Sequence, residues 1–367
     1  MLPSNTSLES AQEPPSHSRN GRERNSFDWF FVGPNGLRAG WSILLFYGIF
    51  YFFRLFVGSV FFSAGLIGET MDNSARFVLI AELIPFLSLL ASAAIMALLE
   101  RRRLSSYNLA GPRRIWRFAS GGLAGFSALS LLVGALVWGS WLRLAPGALS
   151  AAQTARLSVL WGCAFLVVAS VEEGLFRCYA LSTLARGINF WWALAAEAVV
   201  CADAFRQSHD HGALGVYLIA ALGFFPCLAL HQKAAPCSGF WQAAWVTSTV
   251  FGLYHTLNSG ENWIGVFATA AIGFAFCLSV RLTGSAWWAI GFHAAWDWAE
   301  TFFYGTADSG LQGQGHLLAA HPAGNPLWSG GADGPEGSLL ALGVILLLIL
   351  FLFLVYGRQR RAALAVA

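Results

Sequence analysis

The chain has 367 residues, 56% of them hydrophobic and only 11% charged, with a formal net charge of +3 and a mean hydropathy of +0.58. Soluble domains are about a quarter charged, so a water-exposed globule of this composition could not cover its apolar surface. The small net charge and the lack of any long basic run give no reason to expect a nucleic-acid partner. What remains is an all-α, polytopic membrane helix bundle, and its 16 Trp and 30 Phe suit a protein with aromatic residues at the bilayer interfaces.

The first 37 residues are polar and rich in Ser, Asn, Pro and charge, which reads as a disordered tail with no cleavable signal. A membrane-spanning helix needs roughly 20 mostly apolar residues. Ten segments qualify: Ala39–Phe61, Phe77–Leu99, Phe118–Leu142, Leu157–Leu181, Phe190–Ala204, Ala213–Leu230, Trp241–Leu257, Trp263–Val280, Ser285–Phe303 and Leu339–Tyr356. They make one transmembrane domain over 38–357, with its chemistry between about 157 and 304. The 305–338 stretch is Gly- and Pro-rich and reads as an irregular extracytoplasmic loop, and 358–367 as a short basic tail. With ten spans, Arg19–Arg38, Arg101–Arg103, Arg113, Arg114, Arg186, Lys233, Arg281 and Arg358–Arg361 all fall on one side. The bias of cytoplasmic loops toward Lys and Arg makes that side, with both termini, cytoplasmic. The six cysteines form no CxxC pair and mostly lie in apolar segments, as small buried hydrophobes do.

An ionisable residue inside a spanning helix costs at least about 2.5 kcal/mol on insertion scales and is a functional hypothesis by default. Three clusters stand out. In V-E-E-G-L-F-R, residues 171–177, Glu173 and Arg177 share a helix face and can neutralise each other. Glu172 points elsewhere and keeps no local partner, which makes it the better candidate for chemistry. In F-G-L-Y-H, residues 251–255, His255 by itself reads as an ordinary packed histidine near a helix end. In G-F-H-A-A-W-D, residues 291–297, His293 and Asp297 lie one turn apart, so Asp297 can orient the imidazole or merely staple the bundle. Together these residues could activate water or ligate a metal. HExxH, GxSxG and Walker A sequences are absent. Glu82, Glu197, Asp203 and Glu300 read as single acids forming bundle hydrogen bonds, His209–His211 as a solvated loop, and Arg54 as a helix-pair or headgroup contact.

EExxxR, then FxxxH, then HxxxD, each in an apolar helix, resembles the CPBP family, the CAAX protease and bacteriocin-processing (Abi) intramembrane proteases. The resemblance covers about Val168–Glu300. It implies an endopeptidase acting on a membrane-embedded or lipidated peptide in the bilayer, with Glu172 activating water and His255 holding that water. His293 and Asp297 would stabilise the oxyanion, and Glu173, Arg177 and Phe251 would support them. The last motif ends in Asp where the family usually has Asn, and an ionised Asp297 cannot donate to an oxyanion. No cofactor is required by this reading. Zinc is compatible with it, held by Glu172, His255 and His293. The expected location is the cytoplasmic membrane of a prokaryote. Two other readings stay open: a non-enzymatic scaffold or immunity protein of the same fold, and a proton-coupled transporter using the same acids and imidazoles as a relay.

Overall fold

The computed structural model describes residues 30–33, 36–68, 72–207, 228–229, 238–258 and 260–358, without the side chains of 200, 201 and 203–207. Nearly all of the expected span Ala213–Leu230, the His209–His211 loop, Lys233 and most of both polar tails lie outside the described residues. Residues 1–38 form a separate small unit, in which β1 (Val32–Gly33) pairs antiparallel with β2 (Gly36–Leu37).

The unit from Ala39 onward is a helix bundle. Its helices are α1 (Ala39–Ser63), α2 (Ala75–Leu99), α3 (Arg114–Trp138), α4 (Ala151–Gly187), α5 (Phe190–Gln207), α6 (Ser238–Tyr254), α7 (Trp263–Thr283), α8 (Trp287–Trp298, extended by a π-helical segment Ala299–Tyr304), the one-turn α9 (Pro326–Ser329) and α10 (Leu339–Gly357). Each expected span among the described residues coincides with a helix. Six of them, α1, α2, α3, α4, α7 and α10, are long and apolar enough to cross a bilayer. Large apolar side chains such as Leu55, Leu123 and Leu346 stand exposed on their outer faces, as lipid-facing surfaces require.

The bundle has two chemically different ends. At one, Glu100 gathers Arg186 (3.3 Å), Arg102 (3.6 Å) and the hydroxyls of Tyr107 and Tyr179 (both 3.2 Å). The other end is where α2, α4, α7 and α10 begin, each capped by a side chain: Ser74, Ser150 in a capping box with Gln153, Asn262 and Ser338. A cap satisfies amide donors that have no partner in the first turn. The 305–338 segment folds over this end. Its β4 (Leu318–Pro322) pairs antiparallel with β3 (Leu142–Pro146), with Leu142 opposite Pro322, and Gln314 bridges to Ser74. No sign of this sheet is legible along the chain, because the expected third span runs on through Leu142. The helix instead stops at Trp138, four residues earlier.

Helix α8, which carries His293 and Asp297, is held by an unusually close approach to α3. A Cβ added at Gly121 or Gly125 would overlap the carbonyls of Trp288 or Phe292, and one added at Gly291 would overlap the Phe118 carbonyl. Small residues four apart let membrane helices pack backbone to backbone. Around this contact Leu129, Leu132, Phe276, Trp288 and Phe292 form a buried core. Gly125→Leu should therefore force α8 outward. The expected outcome is a loss of stability of at least about 1–3 kcal/mol, read as a lower thermal unfolding midpoint in detergent.

Candidate active site

The geometry begins with a local irregularity. Immediately after Glu173, α4 widens into a π-helical segment, Gly174–Ala180. Such widenings frequently mark functional sites. Asn108 Nδ2 donates to the Arg177 carbonyl at 2.7 Å, anchoring the widened turn.

Glu173 and Arg177 form the pair expected from their spacing, at 3.2 Å with both side chains fully buried. The guanidinium also lies 4.1 Å from the Phe251 ring centroid and 5.3 Å from that of Phe276, a cation–π arrangement favoured when water is excluded. Gly273 makes room for it: a Cβ there would come within 2.6 Å of Nη2 of Arg177 and 3.2 Å of the Phe251 ring.

His293 reaches across to this pair. Its Nδ1 lies 3.0 Å from Glu173 Oε1, while its Nε2 lies 3.4 Å from Asp297 Oδ2 and 3.6 Å from Glu172 Oε2. The Glu173 carboxylate, paired with Arg177, accepts, so Nδ1 carries the proton and Nε2 is turned toward Glu172 and Asp297. The ring is thus oriented chiefly by Glu173, 120 residues away in sequence, a partner the helical spacing could not show. Glu172 keeps 21% side-chain exposure, and its buried Oε2 accepts no hydrogen bond among the described residues.

His255 sits just beyond α6, in a 3-10 turn His255–Leu257. Its Nδ1 lies 2.8 Å from the Phe251 carbonyl. A carbonyl only accepts, so Nδ1 again holds the proton, and Nε2 of the neutral ring is an acceptor. The Phe251 ring packs edge-on against both imidazoles, with centroids 4.8 Å from His255 and 6.3 Å from His293. Glu172, His255, His293 and Asp297 all line one cavity of about 650 Å³.

The cavity has two further polar regions. Glu82 and Arg54 line it on α2 and α1, and Asp308 and Glu336 line it from the 305–338 segment. Glu336 Oε1 accepts from Trp296 Nε1 at 2.7 Å, beside Asp297. Behind them stand Glu261, pushed up to about 10 by burial and by the charges of Asp333, Glu336 and Asp308, and Asp333, raised to about 8 mainly by burial. The only sequence signal for this acidic end is that residues 282–357 hold five acids and no Lys or Arg.

The fit of zinc can be tested on the donor atoms. Among the described residues, Glu300, Asp308 and Glu336 are the group of three or more ligand atoms lying within 4.8 Å of one another. Glu172, His255 and His293 do not form such a group, so their arrangement does not fit a three-ligand zinc site.

Comparison with known families gives one match: a model of the type II CAAX prenyl endopeptidase Rce1-like family covers residues 223–299. The matched segment holds the second and third motifs, with His255, His293 and Asp297, and agrees with the resemblance to the CPBP family drawn from the motifs. No curated protein and no solved structure gives a significant match.

Because the Glu173–Arg177 pair is fully buried, removing either partner strands a charge. Arg177→Met alone should cost about 3–5 kcal/mol in equilibrium unfolding. The double variant Glu173→Leu/Arg177→Met should recover part of that loss while still misorienting His293.

Proposed function

We propose that this chain is a CAAX-protease-type intramembrane endopeptidase, and that Glu172 is its general base. The observation that carries the reading is the unbonded Oε2 of Glu172 facing a cavity it shares with two imidazoles whose tautomers are both set by their Nδ1 partners. A carboxylate whose Oε2 accepts no hydrogen bond among the described residues, with His293 Nε2 3.6 Å away, is available to take a proton from water.

In the proposed reaction a water molecule lies between Glu172 and His255. Glu172 removes one proton while His255 Nε2 accepts a hydrogen bond from the other. The hydroxide attacks the peptide carbonyl carbon, and the carbonyl oxygen becomes an oxyanion. His293, protonated at Nε2, donates to that oxygen. Asp297, with Oδ2 3.4 Å from Nε2, acts through His293 as the negative charge that balances the doubly protonated ring. Collapse of the intermediate breaks the C–N bond, and Glu172 returns its proton to the leaving amine. Preorganised donors aimed at the developing charge are commonly the largest catalytic contribution.

The substrate class follows from where the cavity opens. Tyr51 and Arg54 of α1 line it, yet Tyr51 is 52% exposed on the lipid-facing side and Arg54 is exposed too. A membrane-embedded or lipidated peptide could enter from the bilayer. In this reading the Arg-rich end faces the cytoplasm, as the positive-inside bias favours, and the membrane is the cytoplasmic membrane of a prokaryote.

Glu172→Gln should lower cleavage of a transmembrane or prenylated reporter peptide in proteoliposomes at least 100-fold, with the thermal midpoint unchanged. Cleavage retained in that variant would sink the assignment. Wild-type proton flux lost on Glu172→Gln, without proteolysis in either protein, would point to a transporter. Asp297→Asn should cost less activity than His293→Ala, since Asp297 acts only through the imidazole.

A further inference from the structure

Beside the cavity, several buried acids have carboxylate oxygens with no hydrogen bond among the described residues. Glu300 is fully buried, and neither of its carboxylate oxygens accepts a hydrogen bond among the described residues. One of those oxygens lies within 4.8 Å of carboxylate oxygens of Asp308 and Glu336. The neighbours are pinned in place: Glu336 accepts from Trp296 Nε1 (2.7 Å) and Ser309 Oγ (2.8 Å), and Asp308 accepts from Thr301 Oγ1 (3.3 Å). Independently of these three, Glu261 is 4% exposed with both oxygens unbonded, and Asp333 is fully buried with Oδ1 unbonded. No Lys or Arg occurs between Arg281 and Arg358 to answer this charge. The capped helix start at Asn262 helps only in part, its amide donating to Asp333 Oδ2 at 3.1 Å. Stranding a buried carboxylate costs several kcal/mol, so the fold implies a missing counter-charge.

We propose that Glu300, Asp308 and Glu336 form a Ca²⁺ site that fastens the 305–338 segment to α8 beside the cavity. The donor set is all oxygen, which selects a hard cation over zinc or copper. Oxygens about 2.4 Å from one ion stand at most about 5 Å apart, and the observed spacing fits within that limit. Mg²⁺ demands a tighter octahedron and keeps several waters, which suits a buried, fully protein-lined cluster less well. The site joins two chain segments, since Glu300 belongs to α8 while Asp308 and Glu336 belong to the segment above it. Bound cation therefore stabilises the lid of the cavity as well as neutralising the acids. The proposal does not depend on the protease reading.

The test uses the full-length protein in detergent, stripped with EDTA and dialysed. Adding CaCl₂ to about 100 times its dissociation constant should raise the thermal midpoint by about 3–5 °C. It should also slow protease nicking within 305–338, and EDTA should reverse both effects. Asp308→Asn and Glu336→Gln should each weaken Ca²⁺ binding at least tenfold by calorimetric titration, whereas Asp72→Asn, an exposed acid outside the cluster, should leave it unchanged. The unmodified protein provides the decisive arm if the variants do not fold. No midpoint shift in it, or no calorimetric binding, overturns the site and leaves protonation of the acids as the compensation. An equal shift with Zn²⁺ at the same concentration overturns the hard-cation assignment.

Discussion

The buried pair of Glu173 and Arg177 sets the geometry of everything around it. Arg177 fixes the Glu173 carboxylate, that carboxylate fixes Nδ1 of His293 at 3.0 Å, and the imidazole thereby presents Nε2 to Glu172 and Asp297. On its other side the guanidinium faces the Phe251 ring, whose backbone carbonyl in turn fixes His255. The ion pair thus orients His293 through a carboxylate and packs against the aromatic residue whose helix carbonyl holds His255. A pair this deep contributes little net stability, because desolvation offsets most of the attraction. Its value lies in holding the His293 imidazole in a defined orientation.

Two backbone features make the pair workable. The π-helical segment at Gly174–Ala180 follows directly on the two glutamates, and the glycine-mediated contact of α3 with α8 brings His293 within reach of α4. Both are departures from uniform helix packing, and both are stabilised locally, by Asn108 at the Arg177 carbonyl and by the core around Trp288 and Phe292. Strain and close approach are thereby concentrated beside the chemistry.

The molecule also divides its charge along the helix axes. At the Arg-rich end Glu100 pairs with Arg102 and Arg186 and accepts from two tyrosine hydroxyls. The opposite end, next to the starts of α2, α4, α7 and α10, gathers buried acids beside Arg76, Arg143 and Arg156. Helix starts carry partial positive charge, which lessens the repulsion but cannot neutralise several buried carboxylates. The 305–338 segment is tied to this end by the β3–β4 pairing and by the bridge from Gln314 to Ser74.

The sequence by itself determined the membrane class and the approximate positions of the described helices, because hydrophobic length is a local property read one helix at a time. It also determined the Glu173–Arg177 pair, since residues four apart on a helix must meet. The motif residues Glu172, His255, His293 and Asp297 were visible as polar residues in apolar helices, where burial is costly enough to need a reason. Only the tertiary structure decided that Glu173, far away in sequence, holds His293 in place of Asp297 alone. It alone placed Glu300, first read as a bundle hydrogen bond, in a cluster with Asp308 and Glu336, and turned a Gly-rich loop into a strand-bearing cover. Those relations arise from how helices cross and which ends meet, and no period or spacing along the chain encodes them.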